Sequence, residues 1–379
     1  MTMMAKCPII LLLCLPTITF GLCPDALAKC YCGEAEYLFK KQYIVNCTNT
    51  GFNNTIPLQK LPDNVEVLIF TGNNVPELPI NLFGNSSNNN LKIIDMSNNK
   101  IKIIHGKAYH KVVNVERLIL NHNELTTDAS HHPRLFSNFQ NLLELHLTDA
   151  FDDNSPENFA SLLHNIFLES DLIKLRKLHL EQNEIRSIKD HMLFCSLQNL
   201  MDLHLGDNKL EHIKFKINCL RHLRFIDLER NSIVYLNKDE LSELDVLPHR
   251  GQNLTIDLSE NPFSCGYQIE EFFSWLNTTL VNVRNKNKLK CKHDPKNSDE
   301  PLFLNLGQSC HLKQSVTTNT QESSSTVTFL SLIIVAITLL LIYTNREVIK
   351  NKLLPVVLSL SQKVHYTTIG KNEAHEMDV

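Results

Sequence analysis

Histidine titrates closest to neutral pH and, as the neutral ring, is the commonest metal ligand among side chains. Three of the 17 histidines, His146, His179 and His204, occupy matching places in successive copies of a repeat. Side by side, they would concentrate three like charges on protonation, which suits a pH-sensitive contact or a metal site. The plainer reading is that they are polar choices beside a ladder of charges, Arg117, Glu144, Lys177 and Asp202, and no metal or cofactor is assigned. The chain carries no H-E-x-x-H, no G-x-S-x-G and no phosphate-binding glycine loop, and only 11 glycines. It is therefore not expected to be an enzyme. A net charge of -4 gives no basic face for nucleic acid. Recognition of another protein is the expected work.

The element that would align the histidines is the repeat itself. The pattern L-x-x-L-x-L-x-x-N-x-L returns with a period in the mid-twenties. Its copies are anchored by Asn73, Asn99, Asn123, Asn183, Asn208, Asn231 and a degenerate Asn261. A further copy, Leu142, Leu145 and Leu147, has Ala150 where the asparagine should be. The alternating apolar residues predict a short strand whose inward side chains stack, and the asparagine amide predicts bonds to open backbone in neighbouring turns. Stacked copies share one core, because no single copy can bury its own. The pattern resembles that of leucine-rich repeats. The fold class expected is α/β, a leucine-rich-repeat solenoid with a concave parallel sheet, disulfide-bonded caps and one transmembrane helix.

Outward positions on such strands form columns. One runs Ile69, Asp95, Ile119, His146, His179, His204, Asp227 and Asp257. Its neighbour runs Val67, Ile93, Arg117, Glu144, Lys177, Asp202, Phe225 and Thr255. Val67, Ile69, Ile93 and Ile119 would make an apolar patch, read as a partner-binding surface. Cover by the amino-terminal cap or by a glycan is the alternative. Charge at Ile93 is expected to weaken partner binding without changing secretion, and unchanged binding would discard the patch.

The insert 151–174 interrupts the repeats. Ser155 and Pro156 suit a helix start, and Phe159, Leu162, Leu163, Ile166 and Phe167 recur at helical spacing. The apolar face favours a helix that covers core over one that binds a partner.

The ends of the chain set its compartment. Residues 1–21 read as a secretory signal, carrying Lys6 and an apolar run. Residues 323–345 are uncharged, apolar and long enough to span a bilayer, with Arg346, Lys350 and Lys352 after them. The expectation is a single-pass type I plasma-membrane protein: a cap at 22–62, repeats at 63–260, a second cap at 261–310, a polar stalk at 311–322 and a cytoplasmic tail at 346–379. Sequons stand at Asn53, Asn85, Asn253 and Asn277, with a doubtful one at Asn46 whose middle residue is Cys47. In the tail, Met377 and the terminal Val379 suit a cytoplasmic PDZ protein, and Tyr366 opens a Y-x-x-apolar endocytosis signal.

Secretion oxidises cysteines. Cys23, Cys30, Cys32 and Cys47 allow three pairings. Their C-P, C-x-C, C pattern resembles an amino-terminal leucine-rich-repeat cap, and that resemblance implies Cys23–Cys32 and Cys30–Cys47. Asn261-Pro262-Phe263-Ser264-Cys265, then Trp275, Cys291 and Cys310, resembles the carboxy-terminal cap. Tyr267 stands where that pattern has a cysteine, so Cys265–Cys291 can form while Cys310 is left free or links two chains. Cys195 and Cys219 hold near-equivalent places in successive repeats, close enough to bridge.

Taken together, the chain is similar to the trophoblast glycoprotein family. The residues that carry this are Leu68 to Asn73 (L-I-F-T-G-N), the interrupted middle from Leu142-Leu143-Glu144-Leu145 to Leu175-Arg176-Lys177-Leu178, Leu247-Pro248-His249, the juxtamembrane Tyr343-Thr344-Asn345-Arg346, and the final Asp378-Val379. Tyr267, the extra Cys195 and Cys219 and a shorter tail depart from the family. The resemblance implies a cell-surface glycoprotein that restrains Wnt/β-catenin signalling near the Wnt co-receptor. The rival is an adhesion or neuronal guidance receptor binding another cell-surface protein. A co-receptor for an innate-immune ligand is a weaker third.

Overall fold

The computed structural model describes residues 23–126, 135–152, 159–170, 172–264, 269–292, 334, 336, 337, 339–341 and 343–346. The signal region, the start of the insert with Ser155 and Pro156, Cys265, Tyr267, Cys310 and the tail motifs lie outside them. Two compact units divide at Gln308 and Ser309. In the second, the described residues are mainly helical and expose Ile334, Ile337, Leu340 and Tyr343. Among the described residues no helix is long and apolar enough to cross a membrane.

In the first unit, each repeat contributes a three-residue strand from its L-x-L core. The middle residues Leu68, Ile94, Leu118, Leu145, Leu178, Leu203, Ile226 and Ile256 are fully buried and pair in register from one repeat to the next. The resulting sheet has eleven strands and is mixed rather than wholly parallel. The departure comes from the cap: Tyr31–Tyr37 and Lys40–Asn46 form an antiparallel hairpin, whose second strand then pairs parallel with Val67–Ile69.

Why the asparagine recurs is visible in its bonds. The Asn208 side-chain oxygen accepts from the backbone N–H groups of Asn183 (3.0 Å) and Ile185 (3.1 Å), while its Nδ2 donates to the carbonyls of Leu180 (2.9 Å) and Leu205 (3.0 Å). One amide thus satisfies backbone in two repeats that the short strands leave open. The residue before each asparagine turns the chain with a positive φ: Gly72, Asn98, His122, Gln182, Asp207, Arg230 and Glu260. At Ala150 the ladder lacks an amide, and the Asn123 N–H bonds the Asp149 carbonyl instead, at 3.1 Å. Asn208→Ala would leave three buried backbone groups unpaired, the Asn183 and Ile185 N–H groups and the Leu180 carbonyl, each worth about 1–3 kcal/mol, while the Leu205 carbonyl keeps the Asn231 amide at 2.9 Å. We expect a net loss of about 3–5 kcal/mol, measured by urea unfolding.

Helix α1, Phe159–Leu168, belongs to the insert. Leu163, Ile166 and Phe167 are buried, and the Phe167 ring lies 6.4 Å from that of Phe194 in the next repeat. The helix therefore covers core exposed by the irregular repeat. Helix α2, Lys238–His249, starts with a capping box between Asn237 and Glu240. Helix α3, Ile269–Thr278, docks on it through the Trp275 indole N–H, which donates to Asp245 at 2.8 Å.

Disulfides join Cys23 to Cys32, Cys30 to Cys47 and Cys195 to Cys219. The last ties two successive repeats together, with Cα atoms 5.4 Å apart.

Candidate functional site: the outer face of the sheet

Side chains flanking each buried strand centre point away from the core, so in-register strands place them in touching columns about 4.8 Å apart. The pairs His146–His179 and His179–His204 are each direct strand partners. Their rings stack nearly parallel, with centroids 4.2 and 4.1 Å apart. His204 meets the edge or face of Phe225 at 5.4 Å, and the Arg284 guanidinium lies 4.9 Å from that ring. The three histidine side chains are only 18–19% exposed.

Carboxylates frame the stack. Glu144 Oε2 lies 3.4 Å from His146 Nε2 and also contacts Arg117 at 2.5 Å. Glu181 Oε1 accepts from His179 Nδ1 at 2.8 Å, and its other oxygen accepts from the Thr148 hydroxyl at 2.8 Å. Asp202 holds Arg224 through two bonds of 2.7 and 2.9 Å. The hydrogen bond with His146 is the chief cause that holds the Glu144 carboxyl down to about 2, with Arg117 and Lys177 assisting against burial. Burial pushes the His146 ring below its ordinary value, outweighing the pull of Glu144. Burial works to raise Glu181 and Asp227, yet both stay low. For Glu181 the His179 bond wins, and for Asp227 the neighbouring His204 ring and the Glu229 N–H.

This has a pH consequence. Glu144 ionises near pH 2 when folded and near its ordinary 4.5 when unfolded. A depressed folded value means stability that is complete above 4.5 and lost as pH falls through 2. Glu144→Gln is expected to cost on the order of 1–2 kcal/mol at pH 7, discounted for partial exposure, and to flatten the acid limb. Urea unfolding at pH 7, 4 and 2.5 measures both effects.

The apolar patch is corrected by the structure. Val67 is fully buried and Ile93 is 9% exposed. With Ile44 they form a small cluster on which Ala35, Tyr37 and Ile69 pack. The cap hairpin extends the sheet edge, and its Ala35 and Tyr37 cover the first repeats. Ile69 and Ile119 remain half-buried. Val67 and Ile93 are therefore not part of an open docking surface.

The sequon residues Asn53, Asn85, Asn253 and Asn277 are exposed. Asn46 is half-buried, and its oxygen accepts bonds from Thr48. Cys291 opens a short strand, Cys291–Lys292, while Cys265 lies outside the described residues.

Two features escaped the sequence reading. Glu181 lies just past its strand, so the column rule, which did place Asp227 beside His204, did not bring it to the histidines. At the hairpin tip, Leu38 and Phe39 both have positive φ, 50° and 63°, and Phe39 is 95% exposed. A two-residue turn of this kind prefers Asn-Gly, so two bulky residues there give no sequence signal.

Among known proteins, the family description "Leucine rich repeat" matches residues 173–233. Vasorin of Mus musculus is 30% identical over 184 residues, 44% of this chain and 26% of vasorin. Toll-like receptor 5 of Homo sapiens is 26% identical over 235 residues, 60% of this chain and 23% of the receptor. The chain thus spans about a quarter of the length of these curated relatives. The crystal structure of human trophoblast glycoprotein (Wnt-activated inhibitory factor 1) superposes with a TM-score of 0.59 at 27% identity, covering 67% of this chain and 88% of that one. With the repeat geometry above, these likenesses make the chain a leucine-rich-repeat protein, related in structure to trophoblast glycoprotein and in sequence to vasorin.

Proposed function

We propose that this chain is a cell-surface glycoprotein that binds protein partners through its ectodomain and restrains Wnt/β-catenin signalling. The observation that carries partner binding is the hairpin tip. Left-handed backbone costs a non-glycine residue roughly 1–2 kcal/mol. The fold holds two bulky residues there and leaves Phe39 almost wholly in water, flanked by Lys40 and Lys41. Strain sustained at an exposed aromatic fits an anchor for a partner's pocket. The half-buried histidine and charge columns supply a polar surface beyond it.

The direction of signalling rests on likeness to human trophoblast glycoprotein, also named Wnt-activated inhibitory factor 1. Membrane anchorage rests on the uncharged run 323–345, and glycosylation on the four exposed sequons. A Wnt reporter in responding cells tests the reading. Repression on expression of the full chain supports it. No repression turns the assignment to the adhesion reading, which a cell-aggregation assay then addresses.

A further inference from the structure

We propose that His179, His204 and Glu181 form a zinc site on the outer face of the sheet. Their donor atoms all lie within 4.8 Å of one another. Both histidines turn Nδ1 toward the same carboxylate oxygen: Glu181 Oε1 is 2.8 Å from His179 Nδ1 and 3.8 Å from His204 Nδ1. Ligands around a tetrahedral zinc, each about 2.0–2.1 Å from the metal, stand about 3.3–3.4 Å apart. The two observed spacings bracket that value, each within about half an ångström of it.

His204 gives a second, independent pointer. Its Nδ1 sits between two carboxylates, 3.8 Å from Glu181 and 3.7 Å from Asp227 Oδ2, which is beyond hydrogen-bond length from either. A ring nitrogen between two anions, touching neither, leaves room for a cation. Two imidazoles and a carboxylate are a donor set that suits zinc, and Asp227 or a water completes four.

The support is built in. His179 and His204 are direct strand partners, so their backbones are fixed by the ladder. The Thr148 hydroxyl holds the far oxygen of Glu181, a contact outside the metal shell that orients the ligand. One rearrangement is required. Rings only 8° from parallel cannot both contain one ion in their planes. Each must turn about its Cβ–Cγ bond, a broad two-fold torsion for histidine. Both rings must also be neutral with the proton on Nε2, so that the Nδ1 lone pairs face the metal. His146, the third ring of the stack, directs Nε2 to Glu144 and is not a ligand.

The test uses the full chain, stripped with a chelator and titrated at pH 7.5 with zinc alone against a chromophoric competitor. One equivalent is expected to bind, and the stack is expected to be lost in the zinc-loaded structure. His179→Ala and His204→Ala should each abolish that equivalent, and Thr148→Val should weaken it about tenfold. His146→Ala should leave it unchanged, which separates ligation from general disturbance of the stack. Circular dichroism and thermal melts of the metal-free variants establish that each is folded. If the intact chain takes up no zinc, or folded His179→Ala and His204→Ala keep the same equivalent, the site does not exist.

Discussion

Val67→Asp is expected to stop delivery of the folded chain to the cell surface. Val67 is fully buried between Ile44 and Ile93, beneath Ala35 and Tyr37 of the cap hairpin. Removing the valine forfeits roughly 1.5–3 kcal/mol of apolar burial. An uncompensated carboxylate at that point adds several kcal/mol more, or must be protonated to survive there. Their sum approaches the whole net stability of an ordinary domain, about 5–15 kcal/mol. The cap would then peel from the first repeat and expose the end of the core. Ile93→Asp acts in the same direction with a smaller effect, because Ile93 retains 9% exposure. Surface staining and total protein by immunoblot measure the outcome: normal total protein synthesis with little surface signal. Normal surface display combined with lost partner binding would instead mean that these residues form an open contact.

That prediction reverses the one drawn from the repeat columns, and the reason is physical. A leucine-rich pattern states which strand residues point outward, but not what lies above them. The stacked centres Leu145, Leu178 and Leu203 follow directly from L-x-L spacing, and so does the alignment of His146, His179 and His204. The covering of Val67 does not follow. It depends on the hairpin adding two strands to the sheet edge, and the Gly33-Glu34-Ala35-Glu36-Tyr37 run carries no repeat signal. Helix α1 was legible in type because Leu163, Ile166 and Phe167 share one face and bury it. The framing of the histidines was legible only in half. Glu144 lies in a strand column, whereas Glu181 lies past its strand and is drawn in by His179 and Thr148.

Replacing Leu38-Phe39 with Asn-Gly is expected to make the chain more stable and less active. The turn between the hairpin strands has two residues, and both sit at positive φ. That geometry matches the twist of the flanking strands, and Asn-Gly adopts it without penalty. Releasing two strained residues should stabilise the hairpin by about 1–3 kcal/mol, read as a higher melting temperature. The same change removes Phe39, the exposed aromatic on which partner binding is proposed to rest. Repression in the Wnt reporter should fall severalfold at equal surface expression. Few substitutions separate the two effects so cleanly, because loss of activity here cannot be blamed on loss of fold. Stabilising changes commonly reduce function where a strained site is part of the mechanism. A variant that melts higher yet represses as strongly as the original would show that the tip is only an awkward turn, and the binding surface would then have to lie among the histidine and charge columns.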